Sequence, residues 1–135
     1  VNRSGSTYMA YCFADVQGFS KMGSYKGNGS ANGPFVYTGF KPSFVMVKNA
    51  SGSESWHIWD NKRSPFNMRE LVLYANSSSA EEDVGADIDM LSNGFKLRSA
   101  STSVNGNGNS FVVMAFAENP FVTSTGNGSI PTTAR

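Results

Sequence analysis

The sequence predicts an all-β fold, an antiparallel β-sandwich with little or no helix. Three observations carry that prediction. Short runs of β-branched and aromatic residues recur along the chain. Gly, Asn, Ser and Pro collect between them as turn material. No stretch shows the 3.6-residue spacing of an amphipathic helix.

In chain order, residues 7–14 (TYMAYCFA) read as the first strand, apolar in both alternating sets. That pattern suits a strand buried on both faces, or one with a face against a partner. Residues 18–33 are rich in Gly, Ser, Asn and Lys and read as a loop, with one short strand near Ser24 and Tyr25. Strands follow at 35–38 (FVYT) and 44–49 (FVMVKN), Pro42 breaking the pattern before the latter. The turn Asn49–Glu54 joins it to 55–60 (SWHIWD) as a hairpin. Residues 71–75 (LVLYA) form another strand, and the polar, acidic 76–87 a loop able to hold one helical turn.

The sharpest local signal is IDMLSNGFKLRS, in which Asn93-Gly94 is a strong two-residue hairpin cue. It pairs Ser92 with Phe95, Met90 with Leu97 and Asp89 with Arg98. Ile88, Met90, Phe95 and Leu97 then share the inward face, and Asp89, Lys96 and Arg98 the other. A turn at 105–109 leads to the last strand, 110–117 (SFVVMAFA), and residues 122–135 read as a loose tail.

The chain also repeats itself. Met9–Phe19 (MAYCFADVQGF) and Val113–Phe121 (VMAFAENPF) align with one gap, sharing Phe-Ala-acid followed by Phe. Upstream, Thr7-Tyr8 answers Ser110-Phe111; downstream, Gly27-Asn28-Gly29-Ser30 answers Gly126-Asn127-Gly128-Ser129. The offset approaches the length of a small domain, so it points to tandem whole domains rather than a short-period solenoid. The expected organisation is a closing strand and linker of a preceding module over 1–23, a sandwich module over 24–122, and a tail over 123–135. The first strand either belongs to that preceding module or pairs into this one.

Composition narrows function. The 135 residues suit one domain with one core, and a net charge of +1 without a basic stripe argues against nucleic acid. No stretch has the apolar length of a transmembrane helix, so no membrane insertion is expected. Cys12 is the lone cysteine and His57 the lone histidine. No thiolate metal cluster and no Cys–His nucleophile pair can therefore be drawn. Sugar hydrolysis needs two facing carboxylates, but the acids from Glu81 to Asp87 lie in a polar loop and Asp89 has a cross-strand partner in Arg98. No enzyme activity and no cofactor are expected. Asp83, Asp87 and Asp89 offer oxygen ligands for calcium, although nothing matches the twelve-residue calcium loop.

The aromatics say more. Trp56 and Trp59 flank His57 and Ile58, and strand alternation sends the two indoles to opposite faces, one into the core. If a sugar binds, one of Trp56, Trp59 and Tyr74 is its platform, with Asp60, Asn61 or Arg63 bonding hydroxyls. The bland alternative buries both indoles and makes Asp60–Arg63 a hydrogen-bonded turn. Sparse charge and doubly apolar strands predict self-association, a homo-oligomer of trimer size or larger, through Tyr8, Tyr11, Phe111 or Met114. Both faces being covered internally is the competing possibility.

The strings GPFVYTGFKPSFVMVKNASGSESWHIWDNKRSPFN, LYANSSSAEE, DIDMLSNGFKLRS and FVVMAFAENPF resemble a domain of tailed-phage virion proteins. Such domains occur in marine-phage tail fibres and structural proteins, often in tandem, and the likeness spans residues 6–122. It implies a jelly-roll or concanavalin A-like sandwich and no catalytic residues. It also implies a virion-surface location, as tail fibre or head decoration, with other virion proteins or a host-surface glycan as partners. A stand-alone carbohydrate-binding module is the alternative.

Overall fold

The chain, described over residues 3–120 in a computed structural model, forms eight strands and one helical turn. The strands are β1 (Ser20–Lys26), β2 (Phe35–Tyr37), β3 (Pro42–Asn49), β4 (His57–Asp60), β5 (Arg69–Tyr74), β6 (Glu82–Leu91), β7 (Gly94–Leu97) and β8 (Ser110–Ala117). They make a single antiparallel sheet in the order β1-β8-β3-β4-β5-β6-β7-β2, curled until it is nearly barrel-shaped. Helix is confined, among the described residues, to α1 (Thr102–Asn105).

The curl has visible causes. The β5–β6 pairing slips between Arg69 and Leu71, a bulge that bends the ribbon, and Gly85 in β6 takes a φ of 71°. The bend brings β1 over β7. There the Tyr25 ring meets Phe95 at 6.4 Å and stacks on Phe111 at 5.0 Å, while its hydroxyl donates to the Val104 carbonyl at 2.5 Å. Inside the curl lie Val45, Val47, Trp59, Ile88, Phe95 and Phe111, each fully buried. The two edges, β1 and β2, do not pair with each other. A groove of about 490 Å³ opens between them, lined by Asp15, Lys21, Tyr37 and Thr38.

One loop ties the edges together. Asn105 is fully buried; its amide nitrogen donates to the Ser30 and Ser99 carbonyls, both at 2.8 Å, and its Oδ1 accepts from the Asn28 amide at 2.9 Å. With the Asn28 side-chain oxygen, which accepts from the same side-chain nitrogen at 2.9 Å, four polar groups are satisfied around one side chain, which offsets the cost of burying it. Gly27 passes so close to α1 that a Cβ there would lie 2.2 Å from the Gly106 oxygen. Only glycine fits.

Several expectations change. Residues 7–14 lie outside every strand, and their side chains are exposed. The first strand of the sheet instead starts at Ser20, so a module boundary at residue 24 would cut through β1, which pairs along its whole length with β8. Pro42, rather than breaking β3, is its first residue, where no ladder donor is needed. Half of the acidic loop 76–87 is strand, because β6 begins at Glu82. The hairpin keeps its faces but not its register: Met90 pairs with Phe95, Asp89 with Lys96 and Leu91 with Gly94. A partner moved by two residues leaves side-chain parity intact, so Met90, Phe95 and Leu97 are still buried. The Asp89–Arg98 ion pair also forms, diagonally, at 2.5 Å. The tail at 123–135 lies outside the described residues.

Candidate functional site

β8 is central, with β1 on one side and β3 on the other. Its alternation sends Phe111, Val113, Ala115 and Ala117 inward, and these are buried. Val112, Met114 and Phe116 point outward, where a monomeric domain ordinarily places polar groups. The neighbouring strands do the same with Phe44, Met46 and Ile58. Direct cross-strand partners then line up Met22, Met114, Met46, Ile58 and Leu73 in one row over five strands. This outward row is apolar on all five strands, and sequence reasoning saw only its β8 member. Met46 and Met22 lacked a signal because the row exists only once strand order is known.

Part of the row is overlaid by the chain's own N-terminal segment. The Phe13 ring meets Phe116 edge-on at 6.2 Å, and Phe116 also contacts Phe19 and Phe44, both at 5.9 Å. The Ser20 hydroxyl donates to the Ala14 carbonyl at 2.8 Å, and Asp15 pairs with Lys21. Between Tyr11 and Phe13 on one side and Met46, Met114 and Trp56 on the other runs an apolar groove of about 470 Å³. Of the four expected interface residues, Tyr8 and Tyr11 are exposed, at 51% and 79%, and Met114 lines this groove. Phe111 is fully buried against Tyr25, so it offers no surface to a partner.

The expected sugar platform divides, Trp56 lying just before β4 and Trp59 within it. Trp59 is fully buried, stacked on His57 at 5.7 Å, and is inaccessible to a ligand. Trp56, at 37% exposure, faces the groove, its backbone amide donating to Asn76 Oδ1 at 2.8 Å. Tyr74 lies edge-on to His57 and donates its hydroxyl to Glu82 at 2.6 Å. Burial and that hydrogen bond push the Tyr74 phenol up to about 12.

The polar candidates are committed elsewhere. Asp60 accepts from the Lys62 and Arg63 amides at 2.8 and 2.9 Å and from Arg63 Nε at 2.5 Å. Burial raises the Asp60 carboxyl, but those donors outweigh it and hold the group below its ordinary value. Arg63 also donates to Glu81 at 2.8 Å and to the Ile58 carbonyl at 3.1 Å. Asn61 is buried and donates to Glu118 at 2.7 Å, and Glu118 pairs with Lys41 at 2.6 Å. These groups are a locked turn, the plainer of the two readings that residue type allowed. They sit at the far end of β4 from Trp56, about 13 Å away at the usual strand rise.

Asp83, Asp87 and Asp89 do not form a calcium cage; among the described residues no three acids, histidines or cysteines converge. Asp83 accepts from the Gly85 amide, and Asp89 is held by Arg98. Asp87 is 5% exposed, and burial pushes its carboxyl up to about 6. Burial also lowers the His57 imidazole, outweighing the opposing effect of the hydrogen bond between its Nδ1 and the Ser55 carbonyl at 3.1 Å. Arg69, unremarked in the sequence, is 3% exposed, and its Nε and Nη1 have no hydrogen-bond partner among the described residues.

No curated protein and no solved structure matches the chain. A family model does, over residues 1–120, and so includes both the exposed N-terminal segment and β8. The chain belongs to the family described as a domain of unknown function, DUF7483.

Proposed function

We propose that this domain is a non-enzymatic surface module of a virion, part of a tail fibre or head decoration, which assembles with copies of itself or other virion proteins and contacts the host surface. The two-layer jelly-roll or concanavalin A-like sandwich belongs to the same proposal, as a description of the curled sheet. The observation that carries the assembly role is the outward row of Met22, Met114, Met46, Ile58 and Leu73, apolar across five strands. Half-buried at Met22, Met46, Ile58 and Met114 and open at Leu73, this contiguous apolar face is the kind of surface that marks interaction sites in soluble proteins. The virion setting rests on the sequence resemblance. Sedimentation of the full chain tests assembly: a trimer or larger species is expected, and Met46→Lys should return it to monomer. A wild-type chain that stays monomeric at high concentration overturns the assembly role, and absence of the chain from purified particles overturns the setting.

Carbohydrate binding is the second reading, favoured by Trp56 in the groove beside Asn76. Its test is glycan-array binding by wild type and by Trp56→Ala. Binding lost with the indole supports it, and a blank array sinks it.

A further inference from the structure

The repeat and the fold together say more than either alone. Superimposing the two copies places Tyr8 on Phe111, Ala10 on Val113, Cys12 on Ala115 and Ala14 on Ala117. In β8 those four positions face the core, with exposures of 0, 6, 0 and 8%. The inward code is therefore one aromatic followed by three small residues, and residues 7–14 carry the same code. The outward set matches too: Met9, Tyr11 and Phe13 stand where Val112, Met114 and Phe116 stand. Asp15 follows as Glu118 does. Yet residues 7–14 belong to no strand here, and Met9 and Tyr11 are both 79% exposed.

An exposed segment has no physical reason to keep small residues at every second position. A central strand does, because small side chains let the two halves of a curled sheet approach. The segment cannot take the β8 place in its own domain, since Ser110–Ala117 fills it between β1 and β3. It cannot take that place in a second intact copy for the same reason. Only a domain of this fold without its own β8 has room for it.

We propose that residues 7–14 are a donor strand that completes the sheet of another domain of this fold, one that precedes this domain in the polypeptide and lacks its own β8. In that domain the strand lies between the β1 and β3 equivalents, with Tyr8, Ala10, Cys12 and Ala14 inward. Backbone pairing on both sides supplies attachment, and the inward code supplies register, as in other strand-addition contacts. Residues 15–19 then form the short connection between two consecutive domains, held to the second by Asp15, whose carboxylate pairs with Lys21 and accepts from the Met22 amide.

The test has two arms. In the intact chain, Ala10→Asp and Cys12→Asp leave the thermal midpoint unchanged; a fall of more than about 5 °C, roughly 1 kcal/mol in a domain of this size, places the segment in its own sheet and overturns the proposal. The second arm is a tandem protein, residues 1–109 followed directly by residues 7–135, with Cys12→Ser in the leading copy. The Cys12 thiol of the following copy then takes the Ala115 place, and its reaction with an aromatic disulfide reagent slows at least about 100-fold relative to the intact chain, as burial dictates. Ala10→Asp in the following copy unfolds the leading copy alone, while Tyr11→Asp, outward, does not. A control tandem, residues 1–120 followed by 7–135, retains β8 in both copies, and its Cys12 stays reactive. If the control folds twice and the shared-strand tandem only once, or if Cys12 reacts equally fast in both, the proposal is wrong.

Discussion

Residues 7–14 and 110–117 carry nearly the same pattern and live in opposite circumstances. The second is a central strand with neighbours on both edges and a buried face. The first has no strand partner among the described residues, and its Tyr8, Met9, Tyr11 and Phe13 are all at least half exposed. Strand propensity is the same in both, so propensity did not decide the outcome. What decided it is that one place in the sheet exists and one copy fills it. β-propensity measures fit to a pleated, half-buried surface, and a segment without such a surface shows none of it.

The harshest way to break the comparison is a charge on the inward face. Ala115→Asp puts an unpaired carboxylate at a fully buried position. A cost of about 4 kcal/mol or more is expected from such a change, enough to abolish the folded state as seen by amide NMR dispersion. A dispersed spectrum would mean that β8 is less central than its pairing implies.

Deleting the aromatic comes next. Phe111→Ala removes a buried ring stacked on Tyr25 and should cost about 3–5 kcal/mol. Tyr8→Ala, its counterpart, should stay within about 0.5 kcal/mol, as exposed substitutions do. Denaturant midpoints measure both, and equal effects would erase the distinction between the copies.

The third approach needs no mutation in either copy. Asp87 in the folded protein titrates at about 6, above its unfolded value of 3.8. Its stabilising contribution is thus fully present below the unfolded value and lost as pH rises through 6. The loss is on the order of 3 kcal/mol by pH 8. His57 acts in the opposite sense: its lowered value means a contribution present above 6.5 that is lost as pH falls through the folded value. Asp87→Asn should therefore raise stability at pH 8 and change little at pH 4. Hydrogen exchange in β8 should slow accordingly at pH 8, with residues 7–14 unaffected. Unchanged exchange in β8 would remove Asp87 as the cause.

The smallest effect on stability is expected on the outward face. Met46→Lys should shift the unfolding free energy by less than about 1 kcal/mol, because a lysine stem can lie along the row while its ammonium reaches water. Sedimentation should nevertheless change from oligomer to monomer. A loss of several kcal/mol would show that Met46 is core rather than interface.

Much of this was legible from residue order. Runs of β-branched and aromatic residues marked β3, β4, β7 and β8, and the parity of strand positions separated Trp56 from Trp59 before any fold was known. The inward face of the hairpin survived even though its register moved, because a slip of two residues preserves parity. Turn chemistry also marked Asp60–Arg63 as one candidate for a hydrogen-bonded turn, and its hydrogen bonds now satisfy that reading.

Other features were set by contacts distant in sequence. Glu82–Asp87 looks like solvated loop until β5 offers it a partner edge. Met22 and Met46 become a surface only when β8 inserts between their strands. Phe111 and Tyr8 are aromatics at matching places of the repeat, yet one is sealed beneath Tyr25 and the other is half exposed. Local sequence determines which side chains share a face, since that follows from backbone geometry alone. Whether a face meets a core, a partner or water depends on which strands are neighbours, and that is decided by long-range pairing and the limited number of places a sheet provides.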